Sequence, residues 1–211
     1  QKAIDKKNEF FIDRKKCNLC LECTKVCPSK ALSRVGEERP VEELLDIILK
    51  DKVFFDASGG GVTLSGGEIS MFPEFAGSLI KELKLKGVHT LIESCGYFNY
   101  ETFCSLMLPF VDSIYYDLKI YEPSLHKKYC GTDNRIILDN FARLFALSKS
   151  AGFEILPRIP LIPGITDSKE NLSAIADFLQ SLAVNKVQLL PYNSSWTEKP
   201  GKLGFGHPSG F

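Results

Sequence analysis

The chain has 211 residues, 44% of them hydrophobic, with 26 Lys plus Arg against 26 Asp plus Glu. A formal charge of zero argues against a protein that holds nucleic acid by bulk charge, no run approaches the roughly 18 apolar residues of a membrane span, and no secretory signal opens the chain. Seven cysteines, an odd number with four of them between Cys17 and Cys27, exclude a fully paired disulfide framework and predict metal ligation in a reducing, cytoplasmic setting.

Residues 1–35 are polar and cysteine-rich, with one short strand expected at Phe10–Ile12. After Gly36 the pattern becomes regular. Val41, Leu44, Leu45, Ile48 and Leu49 share one helical face behind Pro40. Gly61–Ser65 reads as a strand, and Phe75, Leu79, Ile80 and Leu83 as a helix closed by Gly87. A strand follows at His89–Ser94, a helix near Tyr100–Leu108 and a strand at Ser113–Lys119. Ile137, Phe141, Leu144 and Phe145 mark a helix ending at Gly152. Glu154–Ile162 reads as a strand whose ladder is restricted by Pro157 and Pro160. Ser168 is placed to cap a helix carrying Leu172, Ile175, Ala176, Leu179 and Leu182, and Lys186–Tyr192 is a fifth strand. The tail from Asn193 is expected to be irregular. This gives three expected segments: a cysteine module at 1–35, an α/β body at 36–192 and a tail at 193–211. Alternating strands and helices imply parallel pairing, in either a doubly wound sheet or a partial barrel. Both place ligands at the C-terminal edge of the strands, where Gly66-Gly67-Glu68, Glu93-Ser94, Asp117-Leu118-Lys119 and Asn193 fall.

Cys17-x2-Cys20-x2-Cys23-x3-Cys27-Pro28 has the spacing of a bacterial ferredoxin run. It points to a 4Fe-4S cluster rather than structural zinc, which more often pairs two separated Cys-x2-Cys knuckles. In two-cluster modules the last cysteine serves the other cluster, so Cys17, Cys20 and Cys23 would need a fourth ligand from upstream. Gln1-Lys2-Ala3-Ile4 echoes Ser29-Lys30-Ala31-Leu32 after Cys27-Pro28, and the first residue is Gln1 rather than Met. Both features predict a missing upstream half.

Gly59-Gly60-Gly61-Val62-Thr63-Leu64-Ser65-Gly66-Gly67-Glu68 is neither a P-loop nor a dinucleotide turn. Two glycines behind a strand let backbone approach a ligand, and the Glu68 carboxylate suits an ammonium group. A plain tight turn with a solvated Glu fits the same residues equally well. Asp117 and Lys119 share one side of the pleat by the period-two rule, as ligand groups or as a surface ion pair. Arg158 either binds a ligand or pairs with a carboxylate elsewhere. Cys95 and Cys104 read as small buried apolar groups, and His126 and Cys130 as flanking a loop before Gly131.

Taken together, Ser58–Glu68, Ile92-Glu-Ser-Cys-Gly96, Asp117-Leu-Lys119, Arg158-Ile-Pro-Leu-Ile-Pro-Gly164 and Leu189-Leu-Pro-Tyr192 resemble the glycyl radical enzyme activating enzymes of the radical S-adenosylmethionine superfamily. The resemblance implies a partial (β/α) TIM-like barrel, here missing its first strand, with half of a ferredoxin-like insertion at the N-terminus. It implies that Gly66, Gly67 and Glu68 bind the amino group of S-adenosylmethionine, that Asp117 and Lys119 serve its methionine and ribose end, and that Arg158 binds ligand. Glu93, Ser94 and Asp117 would lie near a monovalent cation. Asn193 stands where the family has a cofactor-contacting histidine. The implied reaction is one-electron cleavage of the sulfonium to a 5′-deoxyadenosyl radical, which takes hydrogen from a backbone glycine of a partner glycyl radical enzyme, with a flavodoxin- or ferredoxin-type electron donor. No nucleic acid or membrane partner is implied. The family's Cys-x3-Cys-x2-Cys triad does not occur among the seven cysteines, which predicts an inactive fragment of an active parent. A non-catalytic iron–sulfur carrier on a degenerate barrel is the alternative.

Overall fold

A computed structural model describes residues 2–5, 7 and 11–193. Phe10, Gln1 and the expected tail beyond Asn193 lie outside the described residues. Two compact units divide at Glu38 and Arg39 and again at Tyr192 and Asn193.

The N-terminal unit contains little regular structure. Ile4 and Ile12 form an isolated antiparallel bridge. The strand expected through Phe11 is not formed, because Phe11 sits in the left-handed region at φ 58°, which breaks an extended run. Helix α1 is a single turn, Glu22–Lys25.

The larger unit begins with α2 (Val41–Ile48) and α3 (Lys52–Ser58). Strand and helix then alternate through β1 (Gly61–Leu64), α4 (Pro73–Leu85), β2 (His89–Ser94), α5 (Tyr100–Leu106), β3 (Ser113–Asp117), α6 (Pro123–Cys130), α7 (Arg135–Ala151), β4 (Glu154–Pro160), α8 (Lys169–Ser181) and β5 (Gln188–Leu190). All neighbouring strands are parallel, in the order β1-β2-β3-β4-β5. This sequential order decides what periodicity could not. A doubly wound sheet reverses its strand order at a switch point. Here every crossover steps to the next strand in the same direction, consistent with an opened (β/α) barrel.

The expected prolines are accommodated inside β4. The Arg158 carbonyl accepts from Leu118 N–H on the β3 side at 2.9 Å. By alternation, Pro157 turns its missing donor toward β5, which starts only at Gln188 opposite Arg158, and Pro160 turns toward β3, which has ended at Asp117. Neither proline removes a ladder bond.

Two helices of the larger unit were missing from the periodicity. One is α3. The other is α6, where a loop was expected: Glu122 caps it by accepting from Leu125 N–H at 2.7 Å, Pro123 opens it, and Gly131 closes it at φ 86°. His126 is therefore a buried helix residue, its Nδ1 2.7 Å from the Thr132 carbonyl. The core lies between sheet and helices, where Ile92, Ile114, Tyr116 and Ile159 meet Ile80, Leu83, Phe103, Phe141, Leu144 and Ile175. No helix among the described residues is long and apolar enough to cross a membrane.

Candidate cofactor pocket

The strand that faces helices with Ile92 and Ser94 presents Leu91 and Glu93 to the other side of the pleat. The same alternation in β3 and β4 turns Asp117 and Arg158, which are register partners, to that side. Together with the turn after β1 these residues line one cavity of about 300 Å³ at the C-terminal ends of β1–β4, bordered by Ser65, Gly66, Gly67, Glu68, Glu93, Ser94, Cys95, Asp117, Lys119 and Arg158. Eight of the nine expected cofactor residues thus gather in one hollow. Asn193 belongs to the other compact unit, and its contact remains an expectation.

Gly66 adopts φ 123°, which disfavours any side chain, and a Cβ at Gly66 or Gly67 would meet nothing within 4 Å. The two glycines therefore leave open a cradle that side chains would fill. Glu68 is gripped from two directions. Its Oε1 accepts from Ser70 Oγ at 2.7 Å and from Ser94 Oγ at 2.9 Å, and its Oε2 accepts from Cys95 N–H at 2.8 Å. Burial pushes its carboxyl up, but donation from Cys95, Ser70 and Ser94 outweighs that and holds it below its ordinary value. Glu68 is thus an oriented carboxylate, with Oε2 carrying one donor and keeping capacity for a cationic one. Burial, reinforced by the neighbouring Glu68, raises the Cys95 thiol to about 11, so it stays protonated at neutral pH.

Arg158 is nearly buried and pairs with two carboxylates. Its Nη1 donates to Glu93 Oε1 at 2.6 Å, and Nε and Nη2 reach Asp117 Oδ1 at 2.9 Å. Ser65 Oγ donates to Glu93 Oε2 at 2.5 Å, and this bond, with Arg158, holds Glu93 below its ordinary value despite partial burial. Lys119 Nζ lies 3.6 Å from Asp117 Oδ2. The pocket therefore holds three carboxylates against two cations and complements a ligand with surplus positive charge.

In the N-terminal unit Cys17, Cys20, Cys23 and Cys27 are free thiols. Cys27 Sγ accepts from Leu32 N–H at 3.5 Å, which, with Ser29, favours the ligating thiolate form. The donor type suits an iron–sulfur cluster. Among the described residues, however, no three His, Cys, Asp or Glu are gathered closely enough to hold a metal ion, as expected where ligand positions depend on the metal itself.

Residues 16–178 match the Radical SAM superfamily profile. The chain is 38% identical over 189 residues to the isethionate sulfite-lyase activating enzyme of Nitratidesulfovibrio vulgaris, covering 89% of this chain and 60% of that protein. It is 37% identical over 227 residues to the trans-4-hydroxy-L-proline dehydratase activating enzyme of Clostridioides difficile, covering 92% and 74%. A crystal structure of a domain of pyruvate-formate lyase-activating enzyme from Bacteroides vulgatus superposes with TM-score 0.55 at 31% identity, over 72% of this chain and 86% of that domain. The chain spans about 60% of the length of the first two curated relatives.

Proposed function

From a chain that belongs to the radical SAM superfamily, and within it to the glycyl radical enzyme activating enzymes, we propose that these residues form the S-adenosylmethionine cradle of an activase acting on a backbone glycine of a partner enzyme. The observation that carries this reading is the convergence of Glu68, Asp117, Lys119 and Arg158 on one cavity beside an open glycine turn. When bound, an iron–sulfur cluster and S-adenosylmethionine supply the electron and the hydrogen-abstracting radical chemistry.

The chain's own residues bind and orient. Glu68 offers Oε2 to the ligand's ammonium while Ser94 and Cys95 hold the carboxylate in place. Lys119 meets the ligand's carboxylate or ribose oxygens, with Asp117 beside it. Arg158 spans Glu93 and Asp117 and keeps those carboxylates from repelling each other across the strands. A monovalent cation at Glu93, Ser94 and Asp117 would compete with Arg158 for the same oxygens, so we place it only as an exchange partner for that guanidinium.

Cys17, Cys20, Cys23 and Cys27 are assigned to a ferredoxin-like 4Fe-4S module that accepts electrons from a flavodoxin- or ferredoxin-type donor. Because these 211 residues lack the Cys-x3-Cys-x2-Cys spacing, we assign them the binding of S-adenosylmethionine and not, by themselves, its reductive cleavage. A burst of 5′-deoxyadenosine from the reconstituted chain would overturn that assignment.

The test is calorimetric titration of S-adenosylmethionine into the anaerobically reconstituted protein, with iron and sulfide counts. Saturable binding is expected, and a loaded protein that binds none overturns the cradle.

A further inference from the structure

Glu68 is held by a loop that is itself held from behind. Ser94 Oγ donates to Glu68 and accepts from Gly96 N–H at 3.0 Å. The Gly96 carbonyl accepts from Asn140 Nδ2 on α7 at 2.9 Å, and the same amide group donates to the Phe98 carbonyl at 2.9 Å. Asn140 is 1% exposed, so its two donors have no competing water. The loop has no slack on its other side. A Cβ on Gly96 would lie 1.9 Å from Tyr116 Oη, and Gly96 is at φ 79°. Cys95, whose N–H grips Glu68 Oε2, is therefore flanked by a residue fixed at both its backbone carbonyl and its N–H.

Asparagine in the middle of an α-helix is disfavoured relative to a good helix former, and a fully buried one needs its hydrogen bonds to offset its desolvation. Asn140 spends both donors on the loop behind Glu68. We propose that Asn140 is a positioning residue: through Gly96, Ser94 and Cys95 it sets the orientation in which Glu68 meets the ligand's ammonium. The inference rests on the cradle reading and adds a distant residue that never touches the ligand.

A merely structural asparagine would affect every ligand of the pocket alike. A positioning one affects only ligands that use Glu68. The test compares S-adenosylmethionine with its analogue lacking the α-amino group, each titrated into reconstituted wild type, Asn140→Ala and Asn140→Leu, the last keeping the branched outline of the side chain, so that no cavity is left, should the alanine variant not fold. Loss of the aligned charge-assisted contact is expected to weaken S-adenosylmethionine about tenfold in the variants, while the deaminated analogue changes less than about twofold. The Cys95 amide hydrogen should also exchange faster in the variants. Equal weakening of both ligands, or no weakening of either, overturns the positioning role. Failure of wild type to bind S-adenosylmethionine would instead overturn the cradle reading, and the positioning role with it. If neither variant folds, Asn140 is a stability residue and the proposal is wrong.

Discussion

Arg158 on β4 donates to Glu93 on β2 at 2.6 Å, reaching over the intervening β3 while also holding Asp117 on that strand. Neighbouring strands lie nearly 5 Å apart, so a bridge across two gaps needs the long, forked guanidinium. Arg158→Met leaves the partly buried Glu93 without its cation and Asp117 with Lys119 alone, at 3.6 Å. It is expected to cost about 2 kcal/mol of stability, read as a lower denaturation midpoint, with part of the loss restored in the double variant with Glu93→Gln. A midpoint unchanged in Arg158→Met would show that solvent screens the triad.

Glu68→Gln removes the charge and keeps most of the shape. Because an amide oxygen still accepts from the loop, stability should fall by only about 1 kcal/mol, while affinity for S-adenosylmethionine falls by tenfold or more, since a charge-assisted contact is lost. Thermal melting and calorimetry together separate the two effects. Unchanged affinity would return Glu68 to a turn-stapling role.

Gly96→Ala meets Tyr116 Oη at 1.9 Å and Cζ at 2.2 Å in a left-handed backbone. The combined strain is expected to exceed about 3 kcal/mol, and Tyr116→Phe should not rescue it, because the ring carbon remains in the way. Chemical denaturation of the single and double variants checks this.

Glu68 and Glu93 are both held below their ordinary value of 4.5. A carboxyl lowered in the folded state binds fewer protons there than in the unfolded chain, so its contribution is complete above 4.5 and is lost as pH falls through the lowered folded value. Urea midpoints should therefore be insensitive to these groups between pH 6 and pH 7 and should fall on acidification below about 4.5. The acid loss should be smaller in Glu68→Gln. An equal loss in that variant would place the titration elsewhere.

The strand–helix alternation was legible because its signals are local. His89–Ser94 forms β2 as expected, Ser168 caps α8 through Asn171 N–H at 3.2 Å, and Gly152 ends α7 at φ 74°. The short α6 was not legible from apolar spacing, since its residues are mostly polar and its evidence was the Glu122-Pro123 cap and Gly131. At the pocket, the carboxylate pairing held open for Arg158 is what the structure shows, and the paired guanidinium also borders the hollow.

By itself the sequence determined the parallel α/β class, the family and the polar residues at the strand ends, because each of those is written in spacings of a few residues. Only the tertiary structure decided the strand order, the partners of Arg158 and the hold of Asn140 on the loop behind Glu68. Those pairings join residues more than forty positions apart, and no periodicity reports which distant segments burial will bring side by side.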